Sequence, residues 1–196
     1  MVRTSVGYSG GTTTSPTYKN IGDHSEVIRV EFDPNIVSYK QLLDIFWESH
    51  DPTYSAYSRQ YRNAIFPLTA SQLHMAESSL RKQKSANRKK VFTTVEMAGK
   101  FYAAEDYHQK YLLRKADMIL QEFQAIYPDA KELTASTAAA RINGYLGCNG
   151  EVDVLGKELP QLGISLRVQE VLVEHVTTSC DNFSGLTCPS PKNQLN

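Results

Sequence analysis

Two hydrophobic periods interleave through the first 113 residues, and beyond them only the helical one continues. In Glu26–Phe32 apolar and polar residues alternate, with Ile28, Val30 and Phe32 on one side, the pattern of a half-buried strand that Asp33-Pro34 stops. Ser38, with Gln41 three residues on, then forms a capping box. The helix it opens carries Leu42, Leu43, Phe46 and Trp47 on one face and runs to about His50, before Asp51-Pro52 ends it. Thr4–Tyr8 is an earlier short strand, followed by a loop at Gly10–Thr17, and Asn63–Phe66 is a strand closed by Pro67. Thr69 and Gln72 repeat the cap ahead of the stripe Leu73, Ala76, Leu80, and Val91–Val95 is a β-branched strand. Helices are expected at Ala104–Leu113, Asp117–Ile126 and Ser136–Tyr145, and a last one capped by Ser165 carries Leu166, Gln169, Leu172, Val173 and Val176. The expected fold class is α+β: a core over residues 1–115, a mainly helical C-terminal extension over 116–176, and a flexible polar tail over 177–196.

Charge narrows the function classes. Lys and Arg total 21, as do Asp and Glu, so a protein built to hold nucleic acid or an anionic membrane is disfavoured. The basic run Arg81–Lys90 has one aromatic beside it, Phe92, and reads as a solvated helix end and loop. No apolar run approaches the roughly 20 residues of a membrane span, and the opening Met1–Ser5 has no apolar signal core. Cys148, Cys180 and Cys188 are odd in number and confined to the last quarter, so they are no disulfide framework for the core, and a reducing, cytoplasmic-type compartment is expected. His24, His50, His74, His108 and His175 show no metal-ligand spacing, and no Lys-Ser/Thr follows Gly10-Gly11 to make a phosphate loop, so neither metal nor cofactor is expected.

Three polar clusters flank strand or helix ends: Pro16–Tyr18 with Asp23–Glu26, His50–Pro52 with Gln60–Arg62, and Tyr102–Tyr111. Glu26 stands at the mouth of an apolar strand. A carboxyl partly desolvated there would favour its acid form and serve as a proton donor; the alternative is a strand-start charge facing water. Tyr18 and Tyr61 either bring hydroxyls to such a site or are boundary aromatics with wet hydroxyls. Cys148, in the Gly-rich stretch Asn143–Gly150, and Cys188, ahead of Pro189, are either exchange-competent or inert thiols.

Taken in order, Val6-Gly-Tyr-Ser-Gly-Gly11, Pro16-Thr-Tyr18, Gly22-Asp-His-Ser-Glu-Val27, Tyr39–Trp47 with His50-Asp-Pro52, Gln60-Tyr-Arg62 and Ala104-Glu-Asp-Tyr-His-Gln-Lys-Tyr111 resemble the A-class peptide methionine sulfoxide reductases. The resemblance runs from about Thr4 to Leu113, and Arg141–Leu146 resembles the longer C-terminal extension of animal members. It implies a two-layer α/β sandwich around a mixed, ferredoxin-like sheet, and reduction of methionine-(S)-sulfoxide, free or in proteins, as a protein-repair response to oxidative stress. It also implies roles: Glu26 as proton donor, Tyr18 and Tyr61 binding the oxygen, a C-terminal resolving cysteine, and thioredoxin as reductant of a monomeric enzyme.

The sequence departs from the family pattern in three places. The family's nucleophile lies in a Gly-Cys-Phe-Trp-Gly segment that would precede Val2, and no cysteine occurs here before Cys148. The chain therefore reads as an N-terminally truncated form, inactive as written. Thr53–Arg59 lacks the family's Asn-Asp-His-Gly, and Gly144-Tyr145 is followed by Leu146 rather than the resolving cysteine. Cys148 and Cys188, the latter in Gly185-Leu-Thr-Cys188, are both candidates for that role. Two other functions remain open: a non-catalytic module binding methionine-sulfoxide peptides or another protein, and a thiol exchanger working through a Cys148–Cys188 disulfide.

Overall fold

A computed structural model of the chain describes residues 2–180. β1 (Arg3–Ser9) and β2 (Ser25–Glu31) pair antiparallel in a register that sets Val6 against Ile28 and Tyr8 against Glu26. The β1–β2 connection doubles back at Gly10, whose φ of 80° is a glycine conformation. A Cβ at Gly10 would also stand 2.6 Å from the Phe66 ring.

α1 (Tyr39–Glu48) begins as its cap dictates: Ser38 accepts from the Gln41 N–H while Gln41 Oε1 accepts from the Ser38 N–H. β3 (Ala64–Ile65) is short, and Thr69 caps α2 (Ala70–Ala86). α2 carries the basic run through residue 86 before the chain leaves the helix. β4 (Thr94–Val95) pairs with β3 in parallel, and β5 (Tyr102–Ala103) joins β1. The strands thus form a three-stranded antiparallel sheet in the order β2-β1-β5 and a separate parallel pair. The α+β class is as expected, but among the described residues the antiparallel and parallel pairings lie in two separate sheets rather than in one mixed, ferredoxin-like sheet. Leu43 and Trp47 of α1 pack with Ile65 and Ala76, as their spacing anticipated.

Two further expectations fail. Ala104–Leu113 is not one helix: a 3-10 turn at Asp106–His108 leads to α3 (Tyr111–Lys115). Long-range bonds override helix propensity here. Gln109 turns inward and brackets Val6, accepting from its N–H at 2.9 Å and donating to its carbonyl at 2.8 Å. Lys110 follows at φ 53°, buried, with Nζ donating to the Thr4 carbonyl at 2.6 Å; that burial lowers the ammonium to about 8. The second failure is the apolar face of β2. Ile28 is 64% exposed, because β2 is an edge strand and the helices α5 (Ala130–Ala135) and α6 (Thr137–Leu146) reach β1 rather than its neighbour.

The remaining helices, α4 (Asp117–Ile126), α7 (Val152–Glu158) and α8 (Leu166–Ser179), enclose a second core. It includes Leu113, Ile119, Phe123, Ile142, Leu155 and Leu172, each almost fully buried. Ser136 and Ser165 cap α6 and α8 as expected, and α8 extends past residue 176 to Ser179. Among the described residues no helix is long and apolar enough to cross a membrane.

Candidate active site

Glu26, Tyr18 and Tyr61, drawn from two of the three polar clusters, meet beside the start of β2. The Tyr18 and Tyr61 hydroxyls lie 3.3 Å apart. Gln60, on the 3-10 turn Arg59–Tyr61, donates from Nε2 to Glu26 Oε1 at 2.6 Å and to the Tyr61 hydroxyl at 3.1 Å. Burial first, then the Tyr18 hydroxyl and the Glu26 carboxylate, push the Tyr61 phenol above its ordinary range. Tyr61 therefore remains a proton-bearing donor throughout the physiological range. Glu26 is exposed, so of its two readings the structure shows the strand-start charge facing water; an edge strand leaves its carboxylate open to water.

Residues remote in sequence hold the loop that carries Tyr18. Glu105, from the third cluster, accepts from the Tyr18 N–H at 3.0 Å and from the Tyr8 hydroxyl at 2.6 Å. Burial works against ionising Glu105, but the hydrogen bonds from Tyr8 and Tyr18 prevail and keep its carboxyl below the usual range. The His108 ring packs 4.7 Å from the Tyr18 ring and keeps its Nε2 buried without a hydrogen-bond partner among the described residues. Asp23 accepts from the Thr12 and Thr13 N–H groups and hydroxyls, bonds that hold its carboxyl well below the carboxylate range. His24 is fully buried; its Nδ1 accepts from the Gly11 N–H and its Nε2 stands 2.7 Å from the Thr13 carbonyl. That pattern makes it a neutral ring with the proton on Nε2.

The floor is tied from the opposite side. Arg59 donates to the Gly10 and Asp23 carbonyls. Arg62 donates to Ser25 Oγ at 2.8 Å and pairs with Glu96 through both terminal nitrogens. His50 does not join the site: Nδ1 bonds the Phe46 carbonyl at the end of α1. Tyr54, Tyr57 and Tyr107 are exposed aromatics in the segments carrying Gln60–Tyr61 and Glu105, and the Tyr57 ring centroid is 5.2 Å from that of Tyr61.

Cys148 and Cys180 lie in the helical part. Cys148 is disulfide-bonded to Cys180, with the Cα atoms 5.2 Å apart. This pairing differs from the Cys148–Cys188 bond of the thiol-exchange reading, because α6 and α8 pack with Cys148 beside the end of α8. Cys188 lies outside the described residues. Spacing also missed His175, which the helix contact brings within 4.8 Å of both sulfurs; ligands arriving 27 residues apart, from two helices, leave no local pattern to read.

A small sheet whose connecting loop is pinned so that two tyrosine hydroxyls and a carboxylate meet defines an α+β protein with a polar hydroxyl–carboxylate site. Residues 1–140 match the family model of the peptide methionine sulfoxide reductases, and the chain belongs to that family. A relative named peptide methionine sulfoxide reductase A5, from Arabidopsis thaliana, is 40% identical over 151 residues, 74% of this chain and 59% of that protein. The Drosophila melanogaster peptide methionine sulfoxide reductase is 34% identical over 96% of this chain and 75% of its own length, so that match extends through the helical part. Among solved structures, Mxr1 from Saccharomyces cerevisiae in reduced form aligns with a TM-score of 0.54 at 28% identity, over 58% of this chain and 71% of the yeast chain. The chain therefore spans 59% of the length of the plant relative.

Proposed function

We propose that these residues form the oxygen-binding side of a methionine sulfoxide pocket, and that the completed site reduces methionine-(S)-sulfoxide, free or in proteins, with thioredoxin as reductant. The observation that carries this reading is the approach of the Tyr18 and Tyr61 hydroxyls, with Gln60 linking them to Glu26. Two phenolic donors 3.3 Å apart suit a single acceptor oxygen bearing partial negative charge. The exposed Tyr54, Tyr57 and Tyr107 would offer apolar surface to the methyl and to the peptide around it.

The reaction needs a thiolate. It attacks the sulfoxide sulfur; the oxygen passes to the attacking sulfur as a sulfenic acid, and methionine leaves as the thioether. By the family's pattern Glu26 would supply the proton to the oxygen as charge builds there, while Tyr18 and Tyr61 hold it by hydrogen bonds. A second thiolate then displaces the hydroxyl from the sulfenic acid as water and forms a disulfide. The dithiol of thioredoxin reduces that disulfide, so each sulfoxide consumed yields one methionine, one water and one oxidised thioredoxin. Cys148 and Cys188 are the candidates for the resolving position, and the Cys148–Cys180 disulfide is of the kind a dithiol reductant would reopen.

The attacking thiolate is not assigned to any of the chain's three cysteines, and two of them are bonded to each other. The 196 residues alone are accordingly expected to bind sulfoxide without turning it over. We also propose a cytoplasmic location from the cysteine usage, and a monomeric state with a role in oxidative-stress repair on the family's account.

Calorimetric titration of the chain with a methionine-(S)-sulfoxide peptide, and with its thioether counterpart as control, tests the reading. Saturable binding of the sulfoxide peptide is expected, weakening about tenfold in Tyr61→Phe for one lost hydrogen bond of about 1.4 kcal/mol. A flat titration with properly folded chain overturns it. In parallel, dithiothreitol-dependent turnover should be absent; turnover abolished by Cys148→Ser would place the nucleophile at Cys148.

A further inference from the structure

We propose that reduction of the Cys148–Cys180 disulfide creates a binding site for a thiophilic divalent cation of the zinc type, held by Cys148, Cys180 and His175. The helical region then has two alternative closed states, one bridged by a disulfide and one by a metal ion.

Three observations converge. The two sulfurs and a ring nitrogen of His175 all lie within 4.8 Å of one another, so a small shift on opening the disulfide brings them to the edges of a tetrahedron. With metal–sulfur bonds of about 2.3 Å and metal–nitrogen bonds of about 2.0 Å, those edges are roughly 3.5–4 Å. Next, His175 is already oriented: its Nε2 stands 3.1 Å from the Leu146 carbonyl oxygen at the end of α6. A ring proton held on a backbone carbonyl fixes the tautomer, as it does for metal-binding histidines. Finally, Cys148 sits where the backbone favours another residue. α6 ends in a Schellman turn, with the Asn149 N–H on the Gly144 carbonyl and the Cys148 N–H on the Tyr145 carbonyl. Its left-handed position is normally a glycine, yet Cys148 occupies it at φ 56°. From that position its sulfur reaches Cys180 at the end of α8.

The donor set selects the cation. Two thiolates and an imidazole suit zinc and its neighbours, whereas magnesium and calcium require oxygen ligands that this group does not offer. The two thiolates neutralise the dication. All three residues are partly exposed, which gives reductant and metal a way in and leaves a fourth position to water.

The exchange balances. A dithiol reductant transfers two electrons and two protons to the disulfide, giving two thiols and the oxidised reductant. Binding of one dication then releases those two protons and forms two metal–sulfur bonds. A bound metal withholds both thiolates from further exchange.

Cobalt is the probe, because thiolate ligation gives it charge-transfer absorption. The full chain is reduced with a phosphine, freed of reductant under argon and titrated with Co2+. Saturation at one equivalent is expected, with displacement by Zn2+, and no such absorption from the disulfide form. Zn2+ should shield the peptides containing Cys148 and Cys180 from alkylation, a readout on the unaltered chain that requires no variant to fold. Cys148→Ser should abolish the absorption, His175→Ala should weaken binding at least tenfold, and Cys188→Ser should keep it. A reduced chain without the absorption, an equal signal from the disulfide form, or a signal that survives Cys148→Ser but not Cys188→Ser overturns the proposal.

Discussion

The helical region and the strand region are held together by different forces. Between Leu113 and Val176, 13 buried apolar residues form one continuous cluster. The strand region has a cluster of four, Leu43, Trp47, Ile65 and Ala76, and leaves Ile28, Ile36 and Leu68 more than half exposed. What fixes its shape is directional: Gln109 on Val6, Glu105 on Tyr8 and Tyr18, Asp23 on Thr12 and Thr13, and Arg62 on Ser25 and Glu96. Packing resists change through volume, and a gap anywhere in it is felt throughout. A hydrogen-bond lattice fails one bond at a time, locally, and its strength depends on protonation. The candidate site lies in the lattice, and the disulfide lies at the partly exposed edge of the packed helical region.

The sharpest way to break this contrast is to open cavities on both sides. Phe123 is 1% exposed within the helical cluster, and Phe123→Ala should destabilise the chain by about 3–5 kcal/mol. Leu43→Ala, at the edge of a cluster of four, should fall at about 2 kcal/mol. Urea unfolding followed by circular dichroism gives both values. Equal losses would mean that the two regions share one core.

Protonation probes the lattice alone. The folded carboxyl of Glu105 titrates below its ordinary value of 4.5. Its contribution is therefore fully present above that value and is lost as pH falls through the lower, folded one. In the Glu105→Gln variant this part of the acid limb should vanish, at a loss of about 1 kcal/mol near neutral pH, the order expected for a partly exposed charged hydrogen bond. Thermal melting from pH 7 to 3 measures it as the difference between the two proteins. Asp23, Asp51 and Glu96, also held low, contribute to both curves and cancel. A difference that stays constant with pH would show that Glu105 acts by packing.

The same contrast explains which features could be read in the sequence. Caps are local, so Ser38–Gln41, Thr69, Ser136 and Ser165 marked their helices correctly. The polar lattice is not local. Gln109 binds Val6 from 103 positions away, and nothing within Ala104–Leu113 announces that its helical pattern will be overridden. Glu105 was one polar residue in a polar run; its importance lies in Tyr18, 87 positions off. Tyr18, Tyr61 and Glu26 were singled out as a set through the family resemblance, whereas each residue alone read better as a wet surface group. His175 lacked even that, since its partners arrive through helix packing.

The smallest expected effect decides how the strand region ends. The alternation in Glu26–Phe32 calls for a covered face, yet Ile28 is 64% exposed on the edge strand. If that face is open to water, Ile28→Thr exchanges one β-branched residue for another on a solvated strand and should change stability by less than about 0.5 kcal/mol. A loss several times larger, in the same urea series as Phe123→Ala, would mean that an apolar partner covers β2. The strand region would then be held by packing on that face as well, and the distinction between lattice and core would stop at the helices. A null result leaves the exposed face of β2 without an apolar partner, beside the carboxylate of Glu26.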